Sequence, residues 1–133
     1  MTAHSTMLKL LAVMTGGSIG AASRYILFLL VQRLAGASFP VGTLAANLMG
    51  SFLIGLFWSM FEGTHLTNEW RLFIFTGFLG GFTTFSTFAR ETTQLFKVGE
   101  WETALFYAGL SNILGVALVM AGYYVSRHYL ITT

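Results

Sequence analysis

The sequence predicts an all-α integral membrane protein of four transmembrane helices, and three observations carry that expectation. Of its 133 residues 55% are hydrophobic and only 9% are charged. The mean hydropathy is +0.71. The apolar residues also gather into four stretches, each close to the ~20 residues that cross the hydrocarbon of a bilayer. A soluble domain of this length could not bury four such stretches in one another, so lipid must solvate much of the surface.

The spans are expected at residues 10–31, 41–61, 72–95 and 103–125. Polar punctuation separates them at 32–40, which holds the only proline, at 62–71 and at 96–102. The chain therefore reads as one domain over 1–133, with nothing left for a soluble one. Trp58, Trp70 and Trp101, with Tyr123 and Tyr124, fall near span ends, where amphipathic rings settle at headgroup level. The first nine residues and the apolar run after them have the outline of a signal peptide. That run continues well past an ordinary h-region without a convincing cleavage site, so a retained first helix is expected.

Several function classes drop out early. The net charge of +2 comes from seven scattered cations, and no basic run is present to track a phosphate backbone, so nucleic acid is not an expected partner. There is no cysteine, which excludes disulfides, a thiolate nucleophile and sulfur-ligated metal. His4, His65 and His128 lie at ends or in loops and the chain has no aspartate to orient them, so enzyme chemistry is not expected.

An even number of spans puts both termini and the second loop on one side, with Lys9, Arg71 and Arg127. The other side collects Arg33 and Lys97, with Arg90 nearby. These counts nearly cancel under the positive-inside rule: either the chain inserts both ways, or charge bias is simply weak in so short a protein. A slender four-helix bundle has little interior in which to shelter polar groups from lipid, and four helices do not make two inverted halves in one chain. Both points motivate an antiparallel homodimer of dual topology.

Polar residues inside the spans are the candidates for chemistry. Arg24 precedes Arg33 by nine residues, roughly 13 Å along a helix. At that depth a guanidinium either snorkels as an anchor or serves an anion-attracting vestibule. Gly16 and Gly20 have small-xxx-small spacing and suit close helix packing. In the second span Thr43, Asn47, Ser51 and Gly55 recur every four residues along one helix face. The Asn47 amide either closes an interhelical hydrogen bond or donates to an anion without carrying charge. Tyr107, Ser111, Gly115 and Gly122 repeat the device in the last span, with Asn112 one step round the helix.

The third span is the most informative. Gly77 to Phe88 places adjacent glycines beside β-branched and hydroxyl residues, a poor helix sequence, so a break in the third helix is expected. Such a break is tolerated at mid-membrane where freed carbonyls meet a cation, water or other protein groups; a monovalent cation such as Na⁺ would need no carboxylate there. Phe82, Phe85 and Phe88 step by three residues. They form either a packed aromatic seam or a set of positive ring edges on which a small anion rests while Asn and Ser donors complete its shell.

These residues also carry a resemblance. Gly16-Gly17-Ser18-Ile19-Gly20 with Arg24-Tyr25, Gly42-Thr43-Leu44 with Asn47 and Gly50-Ser51-Phe52, and above all Gly80-Gly81-Phe82-Thr83-Thr84-Phe85-Ser86-Thr87-Phe88 resemble the Fluc (CrcB) fluoride channels over nearly the whole chain. The resemblance implies a dual-topology antiparallel homodimer in the cell membrane, with two parallel pores that pass fluoride passively and keep its cytoplasmic level low. By motif, Phe85 and Phe88 correspond to the rings whose edges line the ion path, Ser86 and Thr87 to the hydroxyls between them, and Asn47 to the pore amide. Gly80 and Thr83 match positions whose carbonyls, from both subunits, hold a central structural Na⁺ that is not transported. Arg24 matches an arginine near the pore entrance, and Tyr107 and Ser111 fall on the polar track of the last helix.

Gly115 departs from the pattern, standing where some members have a second hydroxyl, and Glu91 matches an acidic position whose place relative to the ion path the sequence does not give. Two other readings share the length and the four spans. A small multidrug-type transporter needs an embedded carboxylate, whereas all five acids here are glutamates at or near span ends and Arg24 suits anions. A non-conducting assembly subunit would make the small-residue stripes packing faces only.

Overall fold

Several helix ends fall on residues suited to the place. The computed structural model describes residues 2–36 and 38–131; Met1, Ala37 and the last two residues of the expected 1–133 domain lie outside them. Thr2 caps the first helix, α1 (Ala3–Ala35), its hydroxyl accepting from the Ser5 N–H at 3.3 Å. Gly36 closes it at φ 51°, a left-handed geometry that glycine adopts without strain. Pro40 opens α2 (Val41–Phe61), at a helix start where its missing N–H costs nothing.

The third span is built in pieces. Thr67 caps a turn, Asn68–Arg71, that continues into π-helical winding over Leu72–Leu79 and a last turn Gly80–Phe82; residues 68–82 together are α3. Thr83 (φ −87°, ψ 156°) and Thr84 (φ −149°, ψ 112°) are then extended. The chain resumes as α4 (Phe85–Lys97), and after Gly99, at φ 82°, as α5 (Trp101–Val125), whose end winds on as Ser126–Leu130.

Among the described residues four helical stretches are long and apolar enough to cross a membrane: Ala3–Ala35, Val41–Phe61, Asn68–Lys97 and Trp101–Leu130. Three of them overrun the expected spans because charges bounded those spans, whereas Thr2 and Thr67 cap the first and third stretches further out. Lipid as the solvent is visible in the burial pattern. Few large apolar side chains are buried, Leu79 and Phe82 among them, whereas Leu34 and Ile113 are 88% and 73% exposed.

The helices pack mainly as two pairs, α1 on α3 and α2 on α5. Glycine makes both approaches possible. A Cβ on Gly16 or Gly20 would run into the Phe73 or Phe78 carbonyl, and one on Gly77 or Gly81 would stand 2.9 Å from the Val13 oxygen or 2.6 Å from the Gly17 oxygen. In the second pair Gly55 meets the Val119 carbonyl and Gly122 the Phe52 carbonyl. Ser59 and Ser126, four residues further on, are also buried, so each helix of this pair carries a small-xxx-small track. At the far end of α2 the Tyr123 hydroxyl donates to Glu62 at 2.6 Å, and Arg127 stands 3.8 Å from the same carboxylate.

Candidate functional site

Two extended residues organise the centre of the chain. Thr84 is held by one side chain: the Asn47 Oδ1 accepts its N–H at 2.7 Å, and the Asn47 Nδ2 donates to its carbonyl at 3.1 Å. The amide of α2 therefore takes the place of the helix that α3 has left, satisfying both backbone groups of Thr84. An amide nitrogen carries two N–H bonds, so one remains for another acceptor. The Thr84 hydroxyl caps α4, accepting from the Thr87 N–H at 3.3 Å, and also lies 3.0 Å from the Thr87 hydroxyl and 3.4 Å from that of Ser86.

These substitutions free carbonyls. In a continuous helix the Gly80 oxygen would take the Thr84 N–H and the Thr83 oxygen the Thr87 N–H; Asn47 and the Thr84 hydroxyl take them instead. The Thr83 carbonyl meets the half-buried guanidinium of Arg24, its Nη1 at 3.4 Å. Beside them a cleft of about 320 Å³ is lined by Asn47, Ser51, Gly80, Thr83, Thr84 and Phe85. Among the described residues no three acidic, histidine or cysteine side chains could hold a metal together, so a cation bound here would rest on neutral backbone oxygens, the donor type that suits Na⁺.

Aromatic rings lead away from the cleft. The Phe85 ring, 77% exposed, lies 5.7 Å from the Phe88 ring, and Phe88 lies 5.1 Å from Tyr107. Tyr107 is fully buried, with Phe39 edge-on to it at 5.5 Å. Its hydroxyl donates to Glu91 at 2.8 Å, and the buried Thr43 hydroxyl donates to the other Glu91 oxygen, also at 2.8 Å. A second cleft, of about 310 Å³, reaches Glu91 from the end of the molecule where Gln32, Phe39 and Gln94 lie. These two clefts are thus linked by a row of three rings, with a doubly hydrogen-bonded carboxylate at the far end.

Of the residues singled out from sequence, the fold brings Asn47, Gly80, Thr83 and Phe85 to one cleft, with Ser86 and Thr87 at its edge through Thr84 and with Arg24 on the Thr83 carbonyl. Phe88 and Tyr107 continue from there. Ser111 stands apart: its hydroxyl is buried without a hydrogen-bond partner. One turn on, a Cβ at Gly115 would lie 3.6 Å from the Ser51 hydroxyl. The engagement of Glu91 by two partners was missed by sequence reasoning. Its signal was available in part, since Thr43 and Tyr107 each stood on a polar helix stripe, but nothing linear says that both stripes meet one carboxylate.

The comparisons with known proteins point one way. The family model described as CrcB-like protein, Camphor Resistance (CrcB), matches residues 11–123. A protein of Desulfotalea psychrophila named fluoride-specific ion channel FluC is 46% identical over 125 residues, covering 94% of this chain and 97% of its own length. Proteins of the same name from Parabacteroides distasonis and Agrobacterium fabrum are 45% and 43% identical, covering 87% and 92% of this chain and 91% and 98% of theirs. With its four apolar helices it is a multi-pass protein of the cell membrane, and the chain belongs to the CrcB-like family.

Proposed function

We propose that the protein is a fluoride-selective channel that lets fluoride leave the cell passively and so lowers its cytoplasmic concentration. The observation that carries this reading is the row of uncharged groups between the two clefts: the free Asn47 N–H, the Ser86 and Thr87 hydroxyls, and the Phe85 and Phe88 rings. The name borne by relatives matched along nearly the whole chain, that of a channel and not an enzyme, supports it.

The physics of the row favours a small anion. Stripping a halide of water in hydrocarbon is prohibitive unless donors replace the shell. An amide, two hydroxyls and the positive edges of aromatic rings do so without a fixed charge to trap the ion, and several weak sites in series allow it to leave quickly. The Tyr107 hydroxyl and Glu91 close the row at the second cleft, and Ser111 adds a hydroxyl further along α5.

The working unit is an antiparallel homodimer with two pores. The Asn47 cleft is open on its own, with Phe85 largely exposed, and a second copy would shelter it from lipid. The freed carbonyls of Gly80 and Thr83 would hold a structural Na⁺ between the copies; bound there, the ion supplies a fixed positive charge that ties the broken helices together. Arg24 at the Thr83 carbonyl positions that oxygen and makes the mouth favourable for anions.

The test is fluoride and chloride efflux from liposomes holding the purified protein. Fluoride efflux with tight retention of chloride is expected, and Phe85→Ile or Phe88→Ile should depress it while the dimer stays assembled. Vesicles that hold fluoride, or that release chloride as readily, would refute the proposal; proton-coupled uptake of organic cations would instead indicate a multidrug-type transporter.

A further inference from the structure

The helix α4 has two unlike faces. Phe88, Glu91, Thr92, Leu95 and Phe96 are half-buried against the rest of the chain, while Ser86, Arg90, Thr93, Gln94 and Lys97 are exposed. Arg90, Thr93, Gln94 and Lys97 with Ala89 line a shallow concavity of about 420 Å³. Among the described residues no carboxylate lies within ion-pair distance of Arg90 or Lys97. Arg90 lies seven residues before Lys97 at the helix end, so its backbone is roughly 10 Å inside the span. A lone guanidinium at that depth could snorkel, but Ser86, one turn deeper, is also exposed on the same face. A face that is polar along its whole length, with an unpaired cation midway, belongs against water and not hydrocarbon.

From this placement we infer that the outer face of α4 lines a water-filled approach to the pore, and that Arg90 sets the positive potential that gathers fluoride ahead of the Phe85 and Phe88 rings. Arg90 is five residues beyond Phe85, roughly 7.5 Å along the helix axis and about 140° round it, so its charge stands roughly 15 Å from the ring. One unit charge at about 15 Å in water raises the local concentration of a monovalent anion about 1.6-fold, and low-dielectric walls increase the effect. Replacing a positive by a negative charge spans about 2.5-fold on the same scale. At about 1 M salt, where the screening length is ~3 Å, the difference nearly vanishes. Arg90 acts through the field and need not touch the ion in the row.

The inference rests on the fluoride-channel reading, and the absence of cysteine in the chain gives it a clean test. Arg90→Cys in liposomes is treated from the water phase with a thiosulfonate carrying either a trimethylammonium group or a sulfonate. Fluoride flux is then read at low and at about 1 M ionic strength. The expected result is rapid modification by both reagents, recovery of flux toward the unsubstituted level with the cationic group, a flux lower by about 2.5-fold or more with the anionic one, and convergence of the two at high salt. Both reagents act on channels already assembled, so a folding defect cannot imitate the result; Gln94→Cys, on the same face, serves if Arg90→Cys does not assemble. Failure of either cysteine to react, or equal flux after both reagents, overturns the inference while leaving the channel reading standing, provided the unsubstituted protein passes fluoride. A protein that passes none overturns both.

Discussion

Replacing Asn47 tests the centre of the fold directly. In Asn47→Ala the Thr84 N–H and carbonyl both lose their partner, at 2.7 Å and 3.1 Å, and no helix is available to take them back. Leaving a buried backbone group unsatisfied costs about 1–3 kcal/mol. With Thr84 half-buried, the pair is worth about 2–4 kcal/mol, the lower part of the summed range. At about 1.4 kcal/mol per tenfold, local opening at Thr84 should become about 30-fold more frequent or more. The assay is hydrogen exchange of the Thr84 amide in the reconstituted protein, with Asn47→Asp alongside. Aspartate keeps the oxygen that accepts the N–H but sets its second oxygen against the Thr84 carbonyl that Nδ2 served, so the Thr84 amide exchanges more slowly than in Asn47→Ala and faster than in the unsubstituted protein, and fluoride flux falls because the donor facing the cleft is gone. Unchanged exchange in Asn47→Ala, or Asn47→Asp exchanging as fast as Asn47→Ala, would refute the assignment of Asn47 as the clamp on the broken helix.

Three further outcomes are expected. Tyr107→Phe and Thr43→Val each leave Glu91 with one donor and should cost about 1.5–3 kcal/mol apiece in thermal unfolding, with a double variant that is not additive because both act on one carboxylate; strict additivity would argue against a shared acceptor. Gly20→Ala and Gly122→Ala should lower the melting temperature and broaden the size-exclusion profile, since each new Cβ would overlap a backbone carbonyl of the partner helix. Gly17→Ala is the control: its Cβ would lie 3.8 Å from the Gly77 oxygen, an ordinary contact, so it should be neutral or mildly stabilising. Finally, preparing and assaying the protein with a bulky organic cation in place of Na⁺ should weaken both the dimer and fluoride flux; indifference of both would remove the cation from Gly80 and Thr83.

The environment of the chain was legible in the sequence because it depends only on counts and runs. Four apolar stretches in 133 residues with 9% charge leave lipid as the solvent, and the third span, with Gly80-Gly81 and Thr83-Thr84, was readable as a weak helix from propensity alone. The stretch from Gly80 to Phe88 was the most specific part of a family resemblance that ran along nearly the whole chain. Helix ends were less legible, because Thr2, Thr67 and Thr84 act as caps through local geometry that charge boundaries do not register.

What the tertiary structure alone decided is which polar groups meet. Asn47 stands 37 residues from Thr84, Thr43 stands 48 from Glu91, and Arg24 stands 59 from Thr83; the last pairing lies where glycines on α1 and α3 let the two backbones close to contact. The sequence could show that Asn47 needed a partner in a medium without water. It could not name that partner, because in lipid a polar side chain binds the group that helix packing brings within reach, and that distance is a property of the assembled helices.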